Sequence, residues 1–145
     1  GPGFRPWCRS AEKRLKGAWL LPLANKLEVI SKSIDLMKYT IQITSNRKRY
    51  PNKFIILIQR IQSTCIEIYD SLMRANRLQL QLNNEKSERL KLQTEAITLC
   101  DELSCFIQLS MELDLIGTNT VEFWQKKISD VKYMTISWRT KDSSR

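Results

Sequence analysis

A cluster of basic residues after the first predicted helix is the part of this chain best suited to chemistry. The cluster consists of Arg47, Lys48, Arg49 and Lys53. Arginine and lysine at such density neutralise phosphates, which gives salt-sensitive binding with little reading of base sequence. Further cations on the last predicted helix could extend this surface along one side. These are Lys126, Lys127 and Lys132, with Arg139 and Lys141.

Two interpretations of this cluster stay open at the level of sequence. Tyr50, inside the cluster, could stack on a base or pack against the start of the next helix. The cations themselves could bind phosphate or could solvate an ordinary surface loop.

The distribution of charge along the chain favours a binding role for the cluster. Residues 1–53 carry a net charge of +9, residues 54–117 carry −3 and residues 118–145 carry +3. The positive field therefore comes from the front of the chain and the last helix, and it suggests an anionic partner. Self-association is a second interpretation, in which the acidic helices of one copy face the basic helices of the next and close a ring.

Catalytic chemistry is not expected from these residues. The chain has no histidine, so it lacks the usual general base and any Ser-His or Cys-His nucleophile arrangement. Asp101 and Glu102 are adjacent on a predicted helix, so their carboxylates point in different directions and do not converge on one substrate. Basic residues of the third predicted helix, among them Arg89, alternate with glutamates as on a solvated face.

The four cysteines predict structural thiols in a reducing compartment. Cys65 and Cys100 fall on or beside predicted apolar faces, where a free cysteine behaves as a small hydrophobe. With no histidine and no CxxC pair, neither a metal site nor a cofactor is expected. No run approaches the ~18 apolar residues of a membrane-spanning helix, so we expect a cytoplasmic protein with no membrane partner.

Four apolar stripes with spacings of three and four residues predict four helices. They are Leu27, Ile30, Ile34, Met37 and Ile41; Phe54, Leu57, Ile61, Cys65, Ile68, Leu72 and Ala75; Leu92, Ala96, Leu99, Leu103, Phe106, Ser110 and Leu113; and Val121, Trp124, Ile128, Val131, Thr135 and Trp138. Short connections between long helices predict an all-α, antiparallel, up-down-up-down four-helix bundle, with the two tryptophans of the last stripe in its core.

The ends of the first two helices are predicted from local signals. The first helix should fade near Thr44, and the second should begin near Pro51 and run on towards Leu82. Asn83-Asn84 then offers a turn. In this division residues 1–25 form an N-terminal extension whose opening Gly-Pro resembles the remnant of a cleaved tag, residues 26–142 form the bundle, and residues 143–145 form a tail.

The junction between the third and fourth helices is predicted from Gly117. A glycine at this place is typical of the left-handed residue that ends a helix. Thr118 or Asn119 should then cap the fourth helix, with Glu122 completing a capping box around Asn119.

Two groups of short motifs carry a family resemblance. The first is Arg49-Tyr50-Pro51-Asn52-Lys53-Phe54, followed by Arg60-Ile61 and Ala75-Asn76; the second runs from Leu92 to Leu115-Ile116-Gly117-Thr118 and Glu122-Phe123-Trp124. Together they resemble the accessory variability determinant (Avd) proteins of diversity-generating retroelements. That family belongs to a wider group of four-helix bundles that includes the proteins encoded in ribosomal RNA intervening sequences.

The resemblance implies a non-catalytic, homo-oligomeric and pentameric protein. Such a protein would bind RNA or DNA and the element's reverse transcriptase, and would support mutagenic cDNA synthesis. By position, the resemblance implies nucleic-acid contacts at the turn between the first and second helices and along the second helix. The matching residues are Arg47, Arg49, Lys53 and Arg60, with Arg74 and Arg77 at the far end of that helix.

Two alternatives to this function belong to other classes. A bundle of the intervening-sequence type could act as a protein–protein scaffold without direct nucleic-acid binding. A basic helix over residues 9–24 could instead tether the bundle to a membrane surface.

Overall fold

Four α-helices make up nearly all of the described chain. The computed structural model describes the backbone of residues 20–145 and the side chains of residues 28–145. The helices are α1 (Leu20–Thr44), α2 (Ile55–Arg77), α3 (Asn83–Glu112) and α4 (Thr118–Ser143), with one 3₁₀ turn (Asn52–Phe54) ahead of α2. No strand occurs within residues 20–145, so the predicted all-α, four-helix fold class is confirmed. Residues 1–19 of the predicted extension, with Cys8 and most of the basic helix over residues 9–24, lie outside the described residues. Residues 20–25 of that extension belong to α1.

Each helix packs against two others around a shared core. α1 contacts α2 and α4, and α3 contacts the same two helices from the opposite corner. Contacting pairs run in opposite order along neighbouring helices: Thr40 of α1 bonds to Trp124 of α4, whereas the earlier Asp35 bonds to the later Lys127. Across α3 and α4 the same reversal relates Ser104 with Gln125, Asp101 with Lys132, and Arg89 with Asp142.

The core follows the predicted stripes most closely on α2 and α4. All six residues of the fourth predicted stripe are buried, from Val121 to Trp138. Trp124 is fully buried and Trp138 nearly so, which confirms the predicted core position of both tryptophans. On α2 the stripe from Ile61 to Ala75 is buried as predicted.

The buried face of α1 differs from the predicted stripe. Ile34 and Ile41 were expected in the core, but they are 44% and 41% exposed. Ile30 is buried as predicted, but from Ser33 onwards the buried positions precede the predicted ones by one residue. Half of the buried side chains carry hydroxyls: Val29, Ile30, Ser33, Leu36, Thr40 and Thr44. Ser33 and Thr44 donate to the carbonyls of Ile30 and Thr40 at 2.7 Å, so their hydroxyls enter the core without losing a hydrogen bond.

The connection between α2 and α3 comes earlier than predicted. α2 ends at Arg77 and the chain becomes extended at Leu78, so the helix does not run on towards Leu82. The predicted turn at Asn83-Asn84 is wrong, because α3 begins at Asn83. The early stop has a tertiary cause: Arg89 of α3 donates to the Leu78 carbonyl at 2.8 Å and fixes the chain where α2 ends.

The residue that ends α3 in left-handed backbone is Asp114. Its φ is 61°, whereas Gly117 has a φ of −92°, so the predicted role of Gly117 is wrong. Leu115 N–H donates to the Ser110 carbonyl and Asp114 N–H to the Met111 carbonyl, which is the hydrogen-bond pattern of a Schellman motif. Gly117 instead precedes the first turn of α4 in extended backbone, and no side chain caps that turn. The predicted caps at Thr118 or Asn119 and the capping box with Glu122 are therefore also wrong.

Candidate nucleic-acid interface

The loop between α1 and α2 presents basic side chains at one end of the bundle. At this end α1 and α3 finish and α2 and α4 begin. Arg47 is the member of the predicted cluster whose guanidinium bonds to the backbone of the loop itself. Its Nη1 donates to the Thr44 carbonyl at 2.9 Å and to the Tyr50 carbonyl at 3.3 Å. Because the Thr44 carbonyl belongs to the last turn of α1, a guanidinium there closes the helix and complements its dipole.

The other three cations of the cluster point their charge at solvent. The Lys48 backbone N–H donates to Asn46 Oδ1 at 3.0 Å in a tight turn, and the Lys48 side chain is exposed. Arg49 Nη1 donates to Thr120 Oγ1 at 3.0 Å, and Lys53 Nζ lies 5.3 Å from the centroid of the Phe54 ring. Within residues 28–145 none of the three forms an ion pair. We call Lys48, Arg49 and Lys53 the cationic corner.

A shallow cleft adjoins the cationic corner. It has a volume of about 570 Å³ and lies between Arg49 and the α3–α4 junction from Asp114 to Thr120. The Asp114 side chain is the acidic group of this lining. Arg49 therefore lies at the edge of this cleft, between the α1–α2 loop and the start of α4.

Tyr50 does not take part in this surface. Its side chain is fully buried, and its ring meets Trp124 edge-on with centroids 6.5 Å apart. Burial raises the pKa of the Tyr50 phenol, and the neighbouring Ser110 and Arg49 offset part of that rise. Stacking of Tyr50 on a base is therefore wrong, and the contact that the ring makes is with Trp124 of α4.

Three of the five predicted basic residues of α4 lie on its surface beside carboxylates. Lys126 Nζ is 3.6 Å from Asp130, Lys127 Nζ is 2.5 Å from Asp35, and Lys132 Nζ is 2.7 Å from Asp101. Lys127 also lies over the rings of Tyr39 and Phe123, at 5.5 and 4.8 Å from their centroids. These partners neutralise much of the field that the three lysines would add to the cationic corner.

The predicted arginines of α2 are spread along the helix. Arg60 lies 5.6 Å from the Phe106 ring, on the flank of α2 that packs against α3. Arg74 and Arg77 occupy the last turn of α2, at the end of the bundle opposite the cationic corner. The predicted cations thus do not form one continuous surface.

A buried polar cluster at that opposite end was missed by the sequence analysis. Arg89 is 2% exposed and Asp142 1% exposed, and Arg89 Nε donates to Asp142 Oδ2 at 2.7 Å. Gln93 Nε2 donates to the same oxygen at 2.7 Å, and the Arg89 guanidinium lies 5.2 Å from the Trp138 ring centroid. The expected solvated position of Arg89 is wrong. Asp142 continues the α4 stripe one turn beyond Trp138, and that spacing is the signal that could have placed it inside.

Two described thiols are buried among apolar groups. Burial raises the pKa of the Cys65 thiol to about 11 and that of the Cys100 thiol to about 12, so both stay protonated at neutral pH. Cys105 is exposed. Residues 28–145 contain no group of His, Cys, Asp or Glu side chains arranged to hold a metal ion. None of the helices in the described part of the chain is both long enough and apolar enough to cross a bilayer.

Comparisons with known proteins define this molecule at the level of fold. No family model matches the chain, and no curated protein matches it. A crystal structure that does match is that of a protein of unknown function from the S23 ribosomal protein family of Bacteroides thetaiotaomicron. It has a TM-score of 0.65 and 14% sequence identity, over 80% of this chain and 98% of the other. At this identity the likeness shows a shared all-helical fold.

Proposed function

We propose that this chain is a non-enzymatic nucleic-acid-binding protein that contacts phosphates through its cationic corner. The observation that carries the proposal is that Lys48, Arg49 and Lys53 are exposed together and form no ion pair within residues 28–145. Elsewhere on the described surface, single cations such as Lys38 and Lys91 also lack an ion pair, and others, such as Lys132, are matched by a carboxylate. The cationic corner differs because its three unpaired cations lie together within residues 48–53. Cations without such partners are available to neutralise phosphates.

The finer proposal is an Avd-like accessory role in a diversity-generating retroelement, exercised in the cytoplasm. In this role the protein, assembled as a homo-oligomer of five copies, binds RNA or DNA and the reverse transcriptase during mutagenic cDNA synthesis. The motif from Arg49 to Phe54, on which the resemblance partly rests, includes two of the three residues of the cationic corner.

A protein–protein scaffold of the intervening-sequence type is the second candidate. It is favoured by the large apolar side chains that the bundle leaves exposed, of which Ile56 is 76% exposed. A scaffold would use such side chains as contacts and would leave the cationic corner solvated.

Salt dependence of RNA binding tests the proposal. We expect single-stranded RNA affinity to fall as salt rises. The variant K48E/R49E/K53E should make the negative slope of log K against log salt shallower by about 2. This change corresponds to about 0.7 for each phosphate that the protein no longer neutralises. The matched control is K32E/K91E/R145E, which makes the same change in net charge at exposed residues away from the cationic corner. Arg47 is left unchanged because it holds the loop together.

The control variant decides between local contact and net charge. Equal losses of affinity in both triple variants would show that overall charge, and not the cationic corner, holds RNA. A wild-type slope near zero would remove phosphate contact altogether and favour the scaffold. Circular dichroism of each variant checks that the helices remain.

A further inference from the structure

The outer face between α1 and α2 carries an apolar strip that nothing in the described chain covers. Ile34 and Ile41 of α1 are 44% and 41% exposed, and Ile66 of α2 is 41% exposed. Half-buried apolar side chains that pack against the core lie at neighbouring positions of the two helices. The apolar strip consists of Ile34, Met37 and Ile41 on α1, with Ile66, Tyr69 and Met73 on α2.

Contacts on the other flanks of the two helices locate this strip. On α1, Asp35 and Tyr39 face α4, where they meet Lys127. At about 100° per residue, Ile34 and Ile41 then point to the opposite flank, beside α2. On α2, Arg60 marks the flank that faces α3.

The register between α1 and α2 places the two halves of the strip side by side. Gln62 of α2 donates to Thr44 of α1 at 2.9 Å, and Cys65 lies against Thr40. One turn further along, Ile66 and Tyr69 therefore lie level with the stretch of α1 from Met37 to Ile41. The strip extends for about 10 Å, or two helical turns, at a rise of ~1.5 Å per residue.

The rims of the strip carry opposite charges at nearly the same height. Lys38 borders it on α1, and both Lys38 and Asp70 are exposed. Asp70 follows Ile66 by one helical turn, so it lies on the outer crest of α2, between the strip and the groove that α2 forms with α3. Neither Lys38 nor Asp70 forms an ion pair within residues 28–145. Between these rims the strip contains no charged side chain. An uncharged centre excludes a phosphate backbone and suits an apolar partner surface.

We propose that the apolar strip binds an amphipathic helix of a partner protein. A helix lying along the groove between α1 and α2 would place apolar residues at i, i+3, i+4 and i+7 on the strip. Its two edges would carry opposite charges, with acidic residues towards Lys38 and basic residues towards Asp70. This partner site is independent of the proposed phosphate contacts at the cationic corner.

Three synthetic helices of about 20 residues test the charge pattern, at a length that exceeds the ~12–15 residues below which isolated helices are marginal. All share one leucine face; one has glutamate on one edge and lysine on the other, one has only glutamate, and one has only lysine. By fluorescence anisotropy we expect the mixed peptide to bind the wild type about threefold tighter than either control, the scale of exposed ion pairs. In K38E both rims are acidic, so the all-lysine peptide should become the tightest.

Substitutions in the strip test the apolar contact. I34K/I41K should weaken binding of the mixed peptide more than tenfold, because it places charge at the centre of the contact. The matched control, I56K, changes an isoleucine that is more exposed but lies on the α3 flank of α2, one turn before Arg60, and it should leave affinity unchanged.

Two outcomes would overturn the proposal. One is equal binding of the three peptides by the wild type with no change of order in K38E. The other is absence of peptide binding together with self-association that I34K/I41K abolishes in sedimentation, which would assign the strip to a second copy of the chain.

Discussion

Arg89 and Asp142 are charged side chains held out of water by their position between α3 and α4. Their direct contact at 2.7 Å, the second hydrogen bond from Gln93 and the bond to the Leu78 carbonyl compensate part of the cost of burial. Asp142 lies in the last turn of α4, where a negative charge opposes the helix dipole. Arg89 accounts for its presence there, since an acidic group at the C-terminal end of a helix needs a cation beside it.

Removal of Asp142 should therefore destabilise the bundle strongly. D142A leaves the Arg89 guanidinium buried without its counter-ion, and we expect a loss of about 3–5 kcal/mol in the free energy of unfolding. D130A removes the exposed carboxylate beside Lys126 and should cost less than about 0.5 kcal/mol. Urea denaturation of both variants measures the difference. Similar small losses in the two would mean that water reaches Arg89.

Single residues show where sequence reasoning succeeds and where it fails. Trp124 and Trp138 could be placed in the core because large apolar side chains recur at helical spacing. Arg89 could not, because its neighbours in sequence are charged and its partner lies 53 positions away. A buried charge is recognised only when its counter-ion is seen.

At the scale of elements, the α3–α4 junction has its left-handed residue and its glycine at different positions. Asp114 adopts the left-handed backbone at the end of α3, a conformation that costs a side-chain-bearing residue more than glycine. Gly117 has φ −92° and ψ 173°, which any residue can adopt, and a Cβ added there would meet nothing within 4 Å. The position that needs glycine has aspartate, and the position that has glycine does not need it.

Placing glycine at position 114 and a side chain at position 117 should each stabilise the junction. We expect D114G to raise the free energy of unfolding by up to about 1 kcal/mol, by relieving the left-handed strain. G117S should also raise it, by about 0.5–1 kcal/mol, because serine can accept a hydrogen bond from the first turn of α4 and restricts the unfolded chain. Chemical denaturation measures both. Destabilisation by G117S would restore the left-handed role that the sequence suggested for Gly117.

Helix number and type could be predicted from the sequence, whereas helix faces and ends could be predicted only in part. Four stripes of period near 3.5 suffice for four helices. The stripe on α1 was misplaced because Thr40 and Thr44 count as polar in a sequence, although backbone carbonyls and Trp124 satisfy them inside. Boundaries shifted where tertiary bonds, such as that from Arg89 to the Leu78 carbonyl, determine where a helix stops. The cationic corner was predicted because its residues are close together in sequence.

At the scale of the whole molecule, charge is distributed unevenly between the helices. The cationic corner lies at one end, while residues 54–117, which include α2 and α3, carry a net charge of −3. A groove of about 800 Å³ between α2 and α3 is lined by the carboxylates of Glu67, Asp70 and Glu95. Three cations share that lining, so the groove is mixed in charge: Arg74, Lys91 and Arg139.

Head-to-tail association of the basic end of one copy with acidic side chains on α2 and α3 of the next would depend on salt. We expect sedimentation equilibrium at low salt to give a mass of five chains of 17.0 kDa each, and a shift towards smaller species as salt screens the contacts. The triple variant K48E/R49E/K53E should shift the same equilibrium if the cationic corner contributes to the contact. A monomer at every concentration and salt would contradict the ring.

The hydroxyl-rich buried face of α1 has a consequence for the order in which the molecule opens. Three of the six buried side chains on its described part are Ser33, Thr40 and Thr44, so α1 gains less from leaving water than a wholly apolar helix would. Local opening draws on the segments with the least apolar burial, and amide hydrogens of α1 should exchange with solvent before those of α4. A partner helix bound along Ile34 and Ile41 would stabilise α1 and slow the exchange of its backbone amides. Hydrogen exchange in α1 would therefore report whether the apolar strip is occupied.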